Sequence, residues 1–380
     1  MDFSWTPEQE QYRKEVIRFG RERLGTAVRE LDRNEEFDRQ GWRDCAEFGI
    51  QGLPIPEQFG GSSADVLTTV CGLEALGYSC RDNGLLFSLS AHLWACEMPI
   101  VSFGSETQKT KYLPRLASGE WIGALAMAEP EAGSDAYNIK TRAVAKGDSY
   151  VIRGSKTFVT NGPVADVMLV VASLDPSKGW QGLTGFLVAK QTPGVTVRPL
   201  EKMGLRSSTM GEVFFDDCEV SACSRLGEEG AGAAVFTHAM EWERAFILAP
   251  AVGTMERIFE RCLEYAKERR QFGKPIGKFQ LVSSKLVDMR LRLETARDLL
   301  YRVAWLKTNG KSVFAEAAMT KLHISESWVQ TCLDAVQLFG GYGYLSDLEM
   351  ERELRDALGS TIFSGTSEIQ RNLIAQLMGL

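Results

Sequence analysis

Hydrophobic positions fall along the chain in three successive textures. From "TPEQEQYRKEVIRFGRERL" to about Gly119 the apolar residues recur at the spacing that gives a helix one buried stripe. The turn-rich stretches "GLPIPEQFGGSSAD" and "FGSETQKTKYLPRLASGE" interrupt this pattern. In the second, Ser105 and Gln108 stand as the two ends of a capping box, which predicts a helix start. Near Trp121 the period changes. "SYVIRGSKTFVTNG", "DVMLVVASL", "GLTGFLVAK", "GVTVRPLE" and "GEVFFDDCEV" are short β-branched runs separated by Gly, Pro, Asp and Asn, and they predict a small antiparallel β domain. After "LGEEGAG" helical periods return over roughly 229–265, 276–309, 312–339 and 347–377, with breaks at Pro275, Asn309-Gly310 and Gly340-Gly341. Pro250 lies inside the first of these and predicts a bend there. The expected fold class is α+β, with a helical domain at 1–120, a β domain at 121–228 and a bundle of four long helices at 229–380.

Composition narrows the chemistry. At 380 residues, 44% hydrophobic and 24% charged, the chain is an ordinary globular sequence with a sizeable core. Its 43 basic and 50 acidic residues leave a net charge of -7, which gives nucleic acid no general field. The eight cysteines are scattered without C-x-x-C spacing and read as reduced thiols of a cytoplasmic protein. Only His92, His238 and His323 are present, with no H-E-x-x-H, so neither a bound metal nor a hydrolase triad is expected. The first residues lack the basic start and apolar stretch of a signal peptide, and no later run reaches the ~18 apolar residues of a membrane span, so no membrane contact is expected.

Four motifs carry candidate chemistry. "AMAEPEAGSDAYNIKTRA" opens the β region, and backbone amides around Gly133 and Ser134 can approach a phosphate closely. In "SKTFVTNG", Thr160 can hydrogen-bond a ring nitrogen while Phe158 covers a flat ring. Neither is a G-x-G-x-x-G fingerprint, so a dinucleotide would not be held by a Rossmann unit. Each alone also reads as an ordinary turn, and "ERRQFGKPIGKFQ" alone reads as a solvated helix end. With "QLFGGYGYLSDLEMERELRDA" and "TIFSGTSEIQRN", however, their order and spacing resemble the acyl-CoA dehydrogenase family over essentially the whole chain.

The resemblance implies noncovalent FAD at a subunit interface, in a homotetramer built from dimers. It places Met127, Ala128 and Thr160 at the polar edge of the flavin, Gly133 and Ser134 at its pyrophosphate, and Phe158 against its ring. Arg269, Phe272, Gln280, Gln337, Gly340 and Gly341 would hold the adenosine diphosphate half from the neighbouring subunit. Thr366 and Glu368 match positions flanking the flavin, although Glu368 stands where many members have Gln. Arg244, Phe363, Ser364 and Gly365 would face the substrate, with the Ser364 backbone N–H binding a thioester oxygen.

One departure decides the mechanism. Many members carry a catalytic Glu where this chain has Ser364, and a lone hydroxyl is too weak to remove a Cα proton. In the isovaleryl-type and long-chain members the base is a Glu directly before an Arg on a helix, which Glu243-Arg244 in "HAMEWERAFILAP" matches. A charged helix face is the ordinary reading of E-x-E-R. Here the neighbours Met240, Trp242, Phe246, Ile247 and Leu248 are apolar, and a buried carboxylate requires a reason. Glu243 is therefore the expected base and Glu241 the lesser candidate.

The implied activity is FAD-dependent α,β-dehydrogenation of a short acyl thioester, with a flavoprotein or O2 as electron acceptor. Similarity is greatest to the subgroup that oxidises a prolyl thioester on a carrier protein to the pyrrolyl-2-carboxyl thioester. The alternatives are a branched short-chain acyl-CoA dehydrogenase of isovaleryl or 2-methylbutyryl type and, more remotely, a flavin-dependent oxygenase or a non-catalytic binding relative.

Overall fold

The computed structural model describes residues 5–380, so the reading of the first four residues lies outside the described residues. Seven helices come first, α1 to α7: Pro7–Arg23, Val28–Asn34, Arg39–Phe48, Val66–Ser79, Asn83–Ala91, Met98–Phe103 and Glu106–Ala117. The Ser105 and Gln108 side chains cap each other's backbone N–H groups and start α7 at Glu106. Between α5 and α6 the helix continues through a π-turn, so 83–103 is one stretch of 21 residues long and apolar enough by composition to cross a membrane. This corrects the expectation that no such run exists. The stretch is 94% buried inside the fold and serves as a core helix.

The sheet is built from β1 to β8: Gly123–Ala126, Arg142–Lys146, Ser149–Thr160, Val167–Ser173, Leu183–Ala189, Val195–Pro199, Met210–Ser221 and Arg225–Leu226. Its order is β6-β7-β3-β2-β4-β5-β8, with β1 also on β4. β1 and β2 both run parallel to β4, so the sheet is mixed where strand alternation alone suggested an antiparallel one. The parallel pairing places the end of β1 beside β3, where Thr157 N–H donates to Ala128 O at 2.9 Å.

The remaining helices are α8 Gly232–Phe246, α9 Ala249–Glu268, α10 Gln280–Thr308, α11 Phe314–Phe339, α12 Gly341–Tyr344, α13 Met350–Gly359 and α14 Ser367–Leu377. A two-stranded hairpin, β9 Arg270–Gln271 and β10 Lys274–Pro275, joins α9 to α10. Two expected helices are divided. Pro250 lies in the first turn of α9, where its missing N–H costs nothing, so the chain breaks after Phe246 instead of bending. The run expected over 347–377 is cut by the turn that precedes Thr366, whose hydroxyl accepts from Ile369 N–H and restarts the helix. α9 lies tightly on α4: a Cβ at Gly77 would come 1.8 Å from Pro250 O, and one at Gly253 would come 1.9 Å from Glu74 O. Glycine at these two points lets the backbones touch, and this contact seats the α8–α9 junction.

Candidate active site

Glu243 belongs to the last turn of α8, packed among Met240, Trp242, Phe246 and Ile247, and is only 8% exposed. Its Oε1 accepts a hydrogen bond of 2.6 Å from Ser364 Oγ. Ser364 has φ 56° and Gly365 φ 89°, so the turn between α13 and α14 is left-handed at two successive residues. The next residue on α8, Arg244, donates from Nε to Ser364 O at 3.3 Å. The structure therefore brings together Glu243, Arg244, Phe363, Ser364 and Gly365. The expectation that Ser364 offers only its backbone is revised, because its hydroxyl is bonded to the carboxylate.

Electrostatics separate the two candidate acids. Burial pushes the Glu243 carboxyl above the usual range, against the Ser364 hydroxyl and the positive charges of Arg244 and Lys321, which pull it down. Glu241 points elsewhere, into an ion pair with Lys307, whose ammonium sits 4.5 Å from the Trp242 ring centroid. Residues two apart on a helix do not share a face, and only Glu243 faces the turn.

A small cavity lies between α5, α9 and Phe363, just before the turn. Its volume of about 20 Å³ is lined by Phe87, Ile247, Leu248, Pro250, Trp328 and Phe363, with Asn83 and Thr254 contributing polar atoms. Trp242 of α8 stacks on Trp94 at 5.5 Å and 4°.

Across from α8, the end of β1 and the bulged end of β3 group Met127, Ala128, Phe158 and Thr160. Phe158 is 64% exposed and held at φ 56° within a register shift of β3. An exposed aromatic in a left-handed backbone is disfavoured twice over, by hydration and by local sterics, and a flat ring stacked on it removes the first cost. Gly133 and Ser134 lie on an exposed loop, and a Cβ at Gly133 would meet nothing within 4 Å. That open, amide-lined turn suits a phosphate. The residues present therefore fit a flavin dinucleotide.

Motif reading missed the pair that builds this surface. Lys156 Nζ, fully buried, donates to Glu129 Oε1 at 2.8 Å and to Met127 O at 2.9 Å. Glu129 also accepts from Lys140 N–H at 2.6 Å and Thr141 N–H at 3.0 Å, closing the loop that carries Gly133 and Ser134. The signal available in the sequence was a lysine at an inward strand position in "GSKTFVTNG". Lys321 and Gln370, which also bond the 364–365 turn, were missed as well.

The second expected set does not join the first. Arg269 and Gln280 flank the β9–β10 hairpin after the C-terminal end of α9 and Phe272 sits in its turn, while Gln337, Gly340 and Gly341 mark the end of α11 and the start of α12. All six are exposed, Phe272 at 93% with φ 50°. Since α9 spans 20 residues, its two ends are about 30 Å apart. One end adjoins the Glu243 site and the other carries Arg269. Thr366 caps α14 next to the site, and Glu368 is exposed in the first turn of that helix.

Family models described as the N-terminal, middle and C-terminal domains of acyl-CoA dehydrogenase match residues 6–120, 124–218 and 230–379. The L-prolyl-[peptidyl-carrier protein] dehydrogenase of Pseudomonas fluorescens is 44% identical over 382 residues, covering 100% of both chains. The solved structure of the prolyl acyl carrier protein oxidase AnaB is 53% identical with a TM-score of 0.98, over 99% of this chain and 100% of that one. PigA with FAD and proline is 41% identical with a TM-score of 0.97, over 100% of both.

Proposed function

The chain belongs to the acyl-CoA dehydrogenase family, and from that premise we propose that it oxidises a prolyl thioester on a carrier protein to the pyrrolyl-2-carboxyl thioester. It is an FAD-dependent oxidoreductase acting on a CH–CH bond. The observation that carries this reading is a buried Glu243 hydrogen-bonded to the turn where many relatives place their base. Its likeness in sequence and fold to enzymes named for prolyl carrier proteins supports the substrate class.

Glu243 removes the Cα proton. Burial holds its carboxyl above the usual range, which strengthens it as a base once ionised. The Ser364 hydroxyl donates to the ionised carboxylate and can turn to accept when Glu243 is protonated, since a hydroxyl serves in either role. The Ser364 N–H has no acceptor among the described residues and is free to bind the thioester oxygen, stabilising enolate charge. FAD, when bound, supplies the acceptor for the hydride that leaves the ring. Each round removes one proton and one hydride, and two rounds convert proline to pyrrole. A flavoprotein or O2 takes the electrons onward.

A tethered arm fits better than a free nucleotide ester. Arg206, the one cation of "GLRSSTMGEV", lies 3.5 Å from Glu35 and donates to Lys202 O at 2.9 Å, so its charge is already engaged. The separation of Arg269 from Glu243 and the exposed Leu281, Val287 and Leu291 on α10 support a subunit-shared flavin in a homotetramer. Arg269 and its neighbours then serve the cofactor of another copy.

The test is flavin bleaching with a prolyl-loaded carrier protein and, separately, isovaleryl-CoA. Wild type bleaches faster with the carrier, and Glu243→Gln keeps its flavin while losing about three orders of magnitude in turnover. Equal or faster turnover of the free CoA ester overturns the carrier assignment. Near-normal turnover of Glu243→Gln overturns the base.

A further inference from the structure

The turn at 364–365 is held by more than its own geometry. Two adjacent left-handed residues, one of them a serine, are strained unless the surroundings hold them. Here two consecutive carbonyls receive four hydrogen bonds from three helices. Ser364 O accepts from Arg244 Nε at 3.3 Å and from Gln370 Nε2 at 3.1 Å. Gly365 O accepts from Gln370 Nε2 at 2.9 Å and from Lys321 Nζ at 2.7 Å. A Cβ at Gly365 would come 2.8 Å from Gln370 Nε2, so a larger residue there would displace that donor. Because peptide planes are rigid, pinning the two carbonyls inward turns the Gly365 and Thr366 N–H groups the opposite way.

Lys321 is the costly member of this frame. It is fully buried on the stripe of α11 that includes Ala317, Ile324 and Trp328, a position where an apolar side chain would be expected. Its ammonium, 5.9 Å from the Phe363 ring centroid, has no carboxylate within ion-pair distance among the described residues. A buried ammonium without a close counter-ion is unfavourable, so the fold retains it for what it holds. We infer that Lys321 is a positioning residue of the reaction: from α11 it fixes the 364–365 turn and keeps a positive charge behind Glu243 without touching the substrate.

This inference rests on Glu243 being the base. The charges facing Lys321 are Glu243 and Arg244 of α8, Glu326 of its own helix and Glu368 of α14. Those facing Glu243 are Arg244 and Lys321, with the Ser364 hydroxyl. Burial lowers Lys321 to about 8, against the pull of Glu243, so it is mostly charged at neutral pH. Its loss removes a cation that favours ionised Glu243, and the carboxyl titrates higher.

The experiment uses the FAD-loaded enzyme and follows kcat/KM against pH for wild type, Lys321→Met, Lys321→Gln and Lys321→Arg, with flavin content and Tm recorded for each. Lys321→Met should move the acidic limb up by about one unit, the scale of a lost neighbouring charge, and lower neutral-pH kcat about tenfold or more. Lys321→Gln, which keeps a donor for Gly365 O without the charge, should move the limb with a smaller loss of kcat. Lys321→Arg should return the limb to the wild-type position. If Lys321→Met does not fold, the Gln and Arg variants decide the matter. A limb unmoved in the neutral variants, while Glu243→Gln is inactive, overturns the role of Lys321 and leaves the base standing. An active Glu243→Gln overturns both.

Discussion

Glu241 and Glu243 stand two residues apart on α8 and have different physical fates, because one meets Lys307 and the other meets the 364–365 turn. Glu241→Gln should leave turnover within about threefold of wild type, as expected for a group outside the reacting set, whereas Glu243→Gln should abolish it. Stability should move the opposite way. Burial raises the Glu243 carboxyl in the fold, so the folded protein binds its proton at higher pH than the unfolded chain. That group favours folding at acid pH and opposes it once pH rises through its folded value. Glu243→Gln should therefore raise Tm near neutrality, with the difference shrinking as pH falls below the folded value. A Tm scan of both proteins against pH checks this, and a constant offset would contradict the mechanism. The residue pattern made Glu243 legible, because a carboxylate among Trp, Phe and Ile needs a reason. It did not reveal the bond from Ser364, since two residues separated by more than a hundred positions meet only in the folded chain.

At the scale of elements, the surface proposed to face the flavin depends on β1 and β3 being clamped by Glu129 and Lys156. Lys156→Met leaves the Glu129 carboxylate buried without its partner, and breaking a buried pair this way typically costs about 3–5 kcal/mol. The expected result is a large loss of stability in urea melts together with flavin release, since the loop of Gly133 and Ser134 hangs on the same carboxylate. The contact of α4 with α9 should be as intolerant of added volume. Gly253→Ala drives a methyl into the Glu74 carbonyl, and overpacking of this kind costs about 1–3 kcal/mol or more, measurable by the same melts. Element types were legible where local chemistry marks them, as at the Ser105 capping box. The division of 347–377 was not, because the apolar spacing runs on through a turn that is held by side chains from α8 and α11.

For the whole molecule, the separation along α9 of the two residue sets proposed to bind the cofactor makes a prediction about assembly. If each flavin is shared between copies, co-expressed Glu243→Gln and Arg269→Ala chains form mixed dimers in which one site joins an intact Glu243 to an intact Arg269. Purified mixed dimers should then show about half of wild-type activity, although each variant alone is inactive or flavin-depleted. No recovery in mixed dimers would mean that the cofactor is bound within one chain. Size measurement on the same samples reports the oligomer.

What the sequence determined alone was whatever depends on neighbours along the chain: the change from helical to strand periodicity, the cap at Ser105, the glycine turns and the anomalous carboxylate of "MEWERAF". The resemblance added the family and the flavin, because motif order survives without coordinates. Tertiary structure alone decided the parallel pairing of β1 on β4, the break before Pro250, the clamp of Glu129 on Lys156 and the frame of Arg244, Lys321 and Gln370 around Ser364. These arise from burial and hydrogen bonding between groups distant in sequence, whose partners become available only when the helices and the sheet exclude water together.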